Sequence, residues 1–558
     1  MKKLKYILVI LLVLIGGLYV WFKSMILSPP EIEDQSVLSL EVQQLSDSLS
    51  VCGDSWLHQN NGGIYELMIS GKPFELGVKN GKLTQELAGK QEEYFIDFIK
   101  TLIPSETTLN YLKYFITYFN KDLDKYIHQE YLEEIYGISM FASDEYDFIG
   151  DKYHRVLNYH AAHDIGHTIQ NMNLVACTAF SVQDELTEDS TIYVGRNLDF
   201  SAGDDFARNK IVVFCKPDQG YQFAYISWGG MMGVLSGMNE HGLTISLNSA
   251  KSGIPMSAKS PVCIVSRDVL QHAKNIEEAY QIISGYETFV SESFLVSSAS
   301  DHKVVVIEKS QEQTAIYESG ESKLVLTNHF QSKELANTEL NIESIEEGCS
   351  LYRLKRTHEL LDRDSLYNYQ KVADILRDKN GVNDESIGIG NESAVNQLIC
   401  HHSVVFNPEK RLMWVSEFPY QENEFVAYDL NKLFNDDFDI KNNEINVDSL
   451  KIDATDFYND HGVEEIWKYR NRIDSIKKII IPDESVILGA GYIDQLINKN
   501  PDFYYGYYVV GLYYKERGEY KKALNYFNKA LKLQFPRVVD KEQVKSKIQE
   551  VSDILAEN

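Results

Sequence analysis

Cys177 is followed by Thr178 inside the apolar run Val175-Ala176-Cys177-Thr178-Ala179-Phe180. Arg196 and Asp199 stand three residues apart in a second apolar run, Gly195-Arg196-Asn197-Leu198-Asp199-Phe200. A thiol attacks as its thiolate, and an ordinary cysteine with a pKa of ~8.5 is mostly protonated at neutral pH, so a nucleophilic cysteine needs a cation or a base beside it. Arg196 offers the positive field, and Asp199 offers a charged hydrogen-bond acceptor. If the bond between Ala176 and Cys177 were cut, the new α-amine, with a pKa of about 7.7–8.0, would sit close to the thiol and could take its proton. No separate histidine would then be required, and none occupies a strand position obviously paired with Cys177.

The elements that must carry these residues change character along the chain. Val37 to Leu49 reads as helical, Ile64 to Ile69 as an alternating strand, and Lys79 to Ile103, Tyr111 to Phe119 and Glu130 to Phe141 as helices. From Leu174 onward, short runs rich in Val, Ile, Tyr and Phe are separated by turn residues, which is the pattern of antiparallel sheet. Helices are expected at Pro261 to Ala273 and Ile276 to Ser284, and near Tyr352 to Asp362 and Tyr369 to Arg377. Later strands are expected at Phe294 to Ser298, Lys303 to Glu308, Ser403 to Phe406 and Arg411 to Val415. Two groups of strands with helices between and after them imply an α+β fold of two stacked sheets covered by helices on both outer faces. Past about Thr455 the chain becomes helical and more polar. Tyr504 to Leu533 resembles one tetratricopeptide repeat, which needs a neighbour to cover its face. Val486 to Ile497 could supply that face, and a plain helical hairpin packed on the body is the alternative.

A Cys-Thr dipeptide alone says little, because a buried structural cysteine is the commoner case. Its company is more specific. Gly195 to Asp199, Gly237 to Asn248, Leu326-Thr327-Asn328-His329 and Ser350-Leu351-Tyr352-Arg353 follow Cys177-Thr178 in order. In these motifs the chain resembles the cysteine N-terminal-nucleophile (Ntn) hydrolases, the superfamily of choloylglycine hydrolase, acid ceramidase and penicillin acyltransferase, over roughly Ile64 to Leu430. The leader motifs Ser70 to Gly77 and Gln129 to Ile138 resemble the penicillin acyltransferase-like branch, whose members cut themselves into two subunits that stay together. The resemblance implies a four-layer αββα Ntn sandwich with a helical C-terminal extension. It also implies a nucleophile at Cys177, an orienting pair at Arg196 and Asp199, oxyanion or amine holders at Asn248 and Asn328, and a later arginine at Arg353, with Arg356 as its rival. No cofactor and no metal is implied. The expected activity is that of a self-processing amidohydrolase or acyltransferase acting on linear N-acyl amides through an acyl-thioester. Ala176 departs from the family, which more usually has Gly or a polar residue before the nucleophile.

A competing constellation precedes the cysteine: His154, His160, His163 and His167, with Asp164 among them. Imidazoles at such spacing can hold zinc. Gly166 is expected to break the helix that would align His163 with His167, which leaves pocket lining or hydrogen-bonded histidines as the other reading. A catalytically inactive scaffold with a partner-binding C-terminal repeat is a further alternative.

The chain has 558 residues and a net charge of -28, a balance that repels phosphate backbones and argues against nucleic-acid partners. Six cysteines, at 52, 177, 215, 263, 349 and 400, form no CxxC pair, so neither a zinc-finger pattern nor a dense disulfide framework is present. Met1-Lys2-Lys3-Leu4-Lys5 leads into Tyr6 to Phe22, an apolar run of 17 residues closed by Lys23. It reads as an uncut membrane signal-anchor, with a cleaved signal peptide as the alternative, and the body would face the periplasm or the exterior. The expected organisation is therefore an anchor (1–26), a helical leader or small subunit (27–176), a catalytic body (177–455) and a tetratricopeptide-like region (456–558). A small acyl-amide substrate and a protein partner for the C-terminal helices complete the expectation.

Overall fold

A computed structural model describes residues 2–168, 175–200, 203–364, 366–480 and 488–557. Its described strands form two sheets. The larger has eleven, in the spatial order Gln43–Ser46, Leu49–Cys52, Ser55–Gln59, Tyr65–Gly71, Ile211–Pro217, Phe223–Ser227, Ser236–Asn239, Leu243–Ala250, Ser291–Ser298, Lys303–Lys309 and Thr314–Tyr317. The smaller has six, in the order Lys323–Leu326, Val175–Asp184, Ser190–Phe200, Cys400–Asn407, Leu412–Ser416 and Phe425–Asp429.

The two-residue period of the strands separates three apolar layers. On Ile211–Pro217, Val212 and Phe214 point between the sheets, where they meet Ala179, Val194, Val404 and Met413 of the smaller sheet. Ile211, Val213 and Cys215 point the other way, onto the helices Pro73–Leu102, Gln129–Ser139, Lys152–Thr168 and Val262–His272. The outer face of the smaller sheet, through Phe180, Val405 and Trp414, packs on Ser350–Leu361 and Tyr369–Leu376. The layers thus run helix, sheet, sheet, helix, and the fold is α+β as expected.

The leader is less helical than expected. Val37 to Leu49 is a short 3-10 turn at Ser36–Ser39 followed by strand, and Leu49–Cys52 and Ser55–Gln59 extend the hairpin. Sheet pairing overrides the local pattern there. Tyr65–Gly71 then joins the body by pairing in parallel with Ile211–Pro217, from Tyr65 opposite Ile211 to Gly71 opposite Pro217. The two leader motifs meet each other. A Cβ on Gly77 would lie 2.0 Å from the Glu134 carbonyl oxygen, and one on Gly137 would lie 2.7 Å from the Phe74 carbonyl oxygen, so the helices cross at a distance that only glycine permits.

At the N-terminus, Lys2–Lys23 is helical, and Trp21 and Phe22 touch Tyr118 and Tyr114 of the helix Glu106–Phe119. No helix among the described residues is long and apolar enough to cross a membrane. At the other end, Tyr504–Glu516 and Tyr520–Ala530 form a hairpin flanked by Gly462–Ile480, Ala490–Lys499 and Val538–Glu557. This assembly docks on the body, where Asn500 exchanges hydrogen bonds with Ile389 (2.9 and 2.8 Å) and Asn391 Nδ2 donates to the Gln534 carbonyl (3.1 Å).

Candidate active site

Cys177 lies near the start of Val175–Asp184, opposite Leu198 of the neighbouring strand, and is 1% exposed. Two side chains and one strand end converge on it. Arg196, two residues before Leu198 on the same face, donates from Nη2 to Cys177 Sγ at 3.5 Å. The same guanidinium donates to the Leu247 carbonyl (2.6 Å), to Ser236 Oγ (2.7 Å) and to His402 Nε2 (3.1 Å). The larger sheet and the neighbouring strand Cys400–Asn407 therefore both fix the arginine that faces the thiol.

Asn328 arrives along the other edge. Lys323–Leu326 pairs with Val175–Asp184, ending at Leu326 opposite Ala179, so the chain continues past Cys177. Asn328 Oδ1 accepts from the Cys177 backbone N–H at 3.0 Å, and its Nδ2 donates to the Ser249 carbonyl and hydroxyl, both at 3.0 Å. Arg353, from the outer helix Ser350–Leu361, bridges the parts: it donates to the Cys177 carbonyl (2.6 Å), to Thr178 Oγ1 (2.8 Å) and to Asn328 Oδ1 (2.6 Å). Arg356 is elsewhere, ion-paired with Asp378 and Asp384 at 2.8 and 2.9 Å, so of the two arginines Arg353 is the one that touches Cys177.

Asn248 reaches the same place from Leu243–Ala250, donating from Nδ2 to the Leu326 and Thr327 carbonyls at 3.3 and 3.1 Å. Asn328 and Asn248 thus both use their amide hydrogens on protein oxygens, and Asn248 Oδ1 is buried without a partner among the described residues.

Asp199 is the odd member. It stands opposite Ala176, is fully buried, and neither carboxylate oxygen has a hydrogen-bond partner among the described residues. Burial pushes its pKa up to about 7 although Arg353 and Arg196 pull the other way. Burial likewise pushes the Cys177 thiol up to about 11, with Arg196 opposing and Asp199 adding to the rise. With Ala176 still attached, the thiol is a buried neutral group, and the nearby guanidinium is insufficient to ionise it.

The residues brought together are Cys177, Arg196, Asp199, Asn248, Asn328 and Arg353, with Ala176 beside them. Ser236, Ser249 and His402 also belong to the network and were absent from the sequence reading, and Ser350, named there only as the start of the Arg353 motif, joins them. Ser350 Oγ accepts from the Asn328 backbone N–H at 2.8 Å. His402 is held in place: its Nε2 accepts from Arg196 and from Ser236 Oγ (2.9 Å), so it takes no proton from the thiol.

Among the described residues no group of His, Cys, Asp or Glu is placed to hold a metal ion. His160 uses both ring nitrogens, Nδ1 on the Val156 carbonyl (2.8 Å) and Nε2 as acceptor of the Met232 N–H (3.1 Å), and burial pulls its pKa down to about 4. Asp164 accepts from the Val262 N–H at 2.9 Å. The helix Lys152–Thr168 runs through Gly166 without breaking, and the side chains of His163 and His167 lie outside the described residues.

Residues 186–417 match the family described as acyl-coenzyme A:6-aminopenicillanic acid acyl-transferase. The match takes in Arg196, Asp199, Asn248, Asn328 and Arg353 and begins after Cys177. No curated protein matches the chain. Among solved structures, an N-acylethanolamine-hydrolyzing acid amidase ortholog of Caenorhabditis elegans is similar at 20% identity, over 42% of this chain and 93% of that chain, with a TM-score of 0.30. A mutant of conjugated bile acid hydrolase from Clostridium perfringens is similar at 14% identity over 49% of this chain and 96% of that chain, with a TM-score of 0.33. These likenesses are too distant to assign a residue or a substrate.

Proposed function

We propose, from the match of residues 186–417 to the family described as acyl-coenzyme A:6-aminopenicillanic acid acyl-transferase, that the chain is a self-processed cysteine amidohydrolase or acyltransferase acting on linear N-acyl amides. The observation that carries this reading is the buried carboxylate of Asp199 opposite Ala176, which has no hydrogen-bond partner among the described residues. A carboxylate in that position is costly unless a donor reaches it, and the α-ammonium of a chain beginning at Cys177 is such a donor.

In the first step the Cys177 thiol attacks the Ala176 carbonyl, transferring the acyl group from nitrogen to sulfur. Water then splits the thioester, leaving a carboxylate on Ala176 and a free amine on Cys177. In turnover that amine takes the thiol proton, and the thiolate, beside Arg196, attacks the amide carbonyl of the substrate. The amine of the substrate leaves with the proton returned by the α-ammonium, and an acyl-thioester remains on Cys177. Water resolves it to the acid in hydrolysis; a second amine resolves it to a new amide in transfer. Asn328 and Asp199 hold the α-amine, Arg353 holds Asn328, and Asn248 becomes the oxyanion donor once its Nδ2 is released from the Leu326 carbonyl, the longer of its two bonds.

Intact mass of the purified chain tests the reading. Two fragments, the second beginning at Cys177, are expected from the wild type and one chain from Cys177→Ala; a wild-type chain that stays whole overturns self-processing. Outward display on a membrane, with Lys2, Lys3 and Lys5 remaining inside, belongs to the same proposal and is tested by alkaline extraction of the membrane fraction, where release of the full chain counts against it.

A further inference from the structure

A largely apolar cavity lies between the leader helices and the body. One end is closed by Leu198, the cross-strand partner of Cys177, and by Leu235, whose carbonyl accepts from Leu247 N–H, the residue that anchors Arg196. Phe206 and Trp228, in edge contact at 5.1 Å, form an aromatic wall. From the leader, Gln91 and Glu92 line the cavity.

These two polar residues differ in how they are satisfied. Glu92 accepts from Arg155 Nε (3.1 Å) and from the Tyr159 hydroxyl (2.6 Å). Gln91 is 4% exposed; its Nε2 donates to the Phe206 carbonyl at 3.3 Å, while its Oε1 has no hydrogen-bond partner among the described residues. An acceptor buried without a donor is retained at a cost in free energy, and it favours an occupant that brings the donor.

We propose that this cavity takes the acyl group of the substrate and that Gln91 selects acyl groups bearing a hydroxyl or N–H donor away from the scissile carbonyl. The inference rests on the reading of Cys177 as the residue that becomes acylated. The cavity offers about 90 Å³ to water, room for roughly six to nine waters at ~10–15 Å³ each.

The test uses phenylpropanoic acid and its para-hydroxy analogue, which differ by one hydroxyl, and their anilides. Calorimetry of the two free acids with full-length Cys177→Ala is expected to show about five-fold tighter binding of the hydroxylated acid. In the Cys177→Ala, Gln91→Met double variant that preference disappears while the unsubstituted acid binds as before, and in the Gln91→Glu counterpart, which keeps an acceptor, it survives. Equal affinity for the two acids, a preference that outlasts Gln91→Met, or failure of both acids to bind overturns the proposal. Turnover of the anilides by the wild type separates the two readings. Discriminated binding without turnover counts against the amidase and supports the selective cavity, whereas turnover without discrimination counts against the cavity alone.

Discussion

Cys177 and Cys215 are both buried thiols beside a buried arginine, yet their surroundings prepare them for different fates. Arg267 donates to Cys215 Sγ at 3.7 Å much as Arg196 donates to Cys177 Sγ at 3.5 Å. Arg267, however, is neutralised by Glu134 at 2.9 Å and lies over the Phe223 ring at 4.4 Å. Arg196 has no carboxylate partner among the described residues; its other bonds go to a carbonyl, a hydroxyl and an imidazole. Burial pushes Cys215 up to about 12 and Cys177 up to about 11. A buried arginine next to a thiol is therefore no sign of a nucleophile by itself: Glu134 cancels the charge of Arg267, whereas that of Arg196 meets no carboxylate among the described residues.

The contrast breaks most sharply at the sulfurs. Cys177→Ala is expected to lower amide turnover by on the order of 10³-fold or more and to leave the chain uncut, whereas Cys215→Ala keeps turnover within about two-fold; comparable losses in both variants would erase the distinction. The arginines should separate in the opposite currency. Arg267→Met strands the Glu134 carboxylate and is expected to cost about 3–5 kcal/mol of stability in denaturant unfolding, while Arg196→Met costs no more than about 2 kcal/mol and lowers kcat by roughly a hundred-fold. A stability loss for Arg196→Met as large as that for Arg267→Met would show the two sites to be alike.

Acid sharpens the comparison further. The carboxyl of Asp199 has a folded pKa of about 7, above its ordinary value of 3.8, so protonation favours the folded, uncut chain. Its contribution is fully present below about pH 4 and is lost as the pH rises through about 7. The melting temperature of Cys177→Ala should fall over that window, and Asp199→Asn in the same background should flatten the fall; parallel curves for the two chains would remove Asp199 from the account. If the wild type is cut before Cys177, its α-ammonium reaches the Asp199 carboxyl and the fall should be smaller. The smallest effect is expected at Cys215→Ala, about 1 kcal/mol in stability for the lost packing.

Much of this site was legible because its members sit in short ordered motifs: Cys177, Arg196, Asp199, Asn248, Asn328 and Arg353 all converge. The choice between Arg353 and Arg356 was not legible, since one helical turn offers both, and only the acidic cluster of Asp378 and Asp384 draws Arg356 away. Ser236, Ser249 and His402 were missed because they arrive by pairing of segments far apart in sequence, which leaves no local trace. The two-sheet body followed from its alternating strands. The leader hairpin did not, because Val37 to Leu49 mimics a helical spacing that only the edge of the sheet overrules.

The parallel seam between Tyr65–Gly71 and Ile211–Pro217 gives the order of events in the life of the molecule. It joins a strand before Cys177 to one after it, and pairing of such distant segments is slow to form. Were the chain to cut itself before Cys177, a seam completed first would make that cut a report that folding has finished. If the chain is cut before Cys177, the same seven rungs act as a clasp: the fragments share one sheet, and neither leaves without unravelling the other.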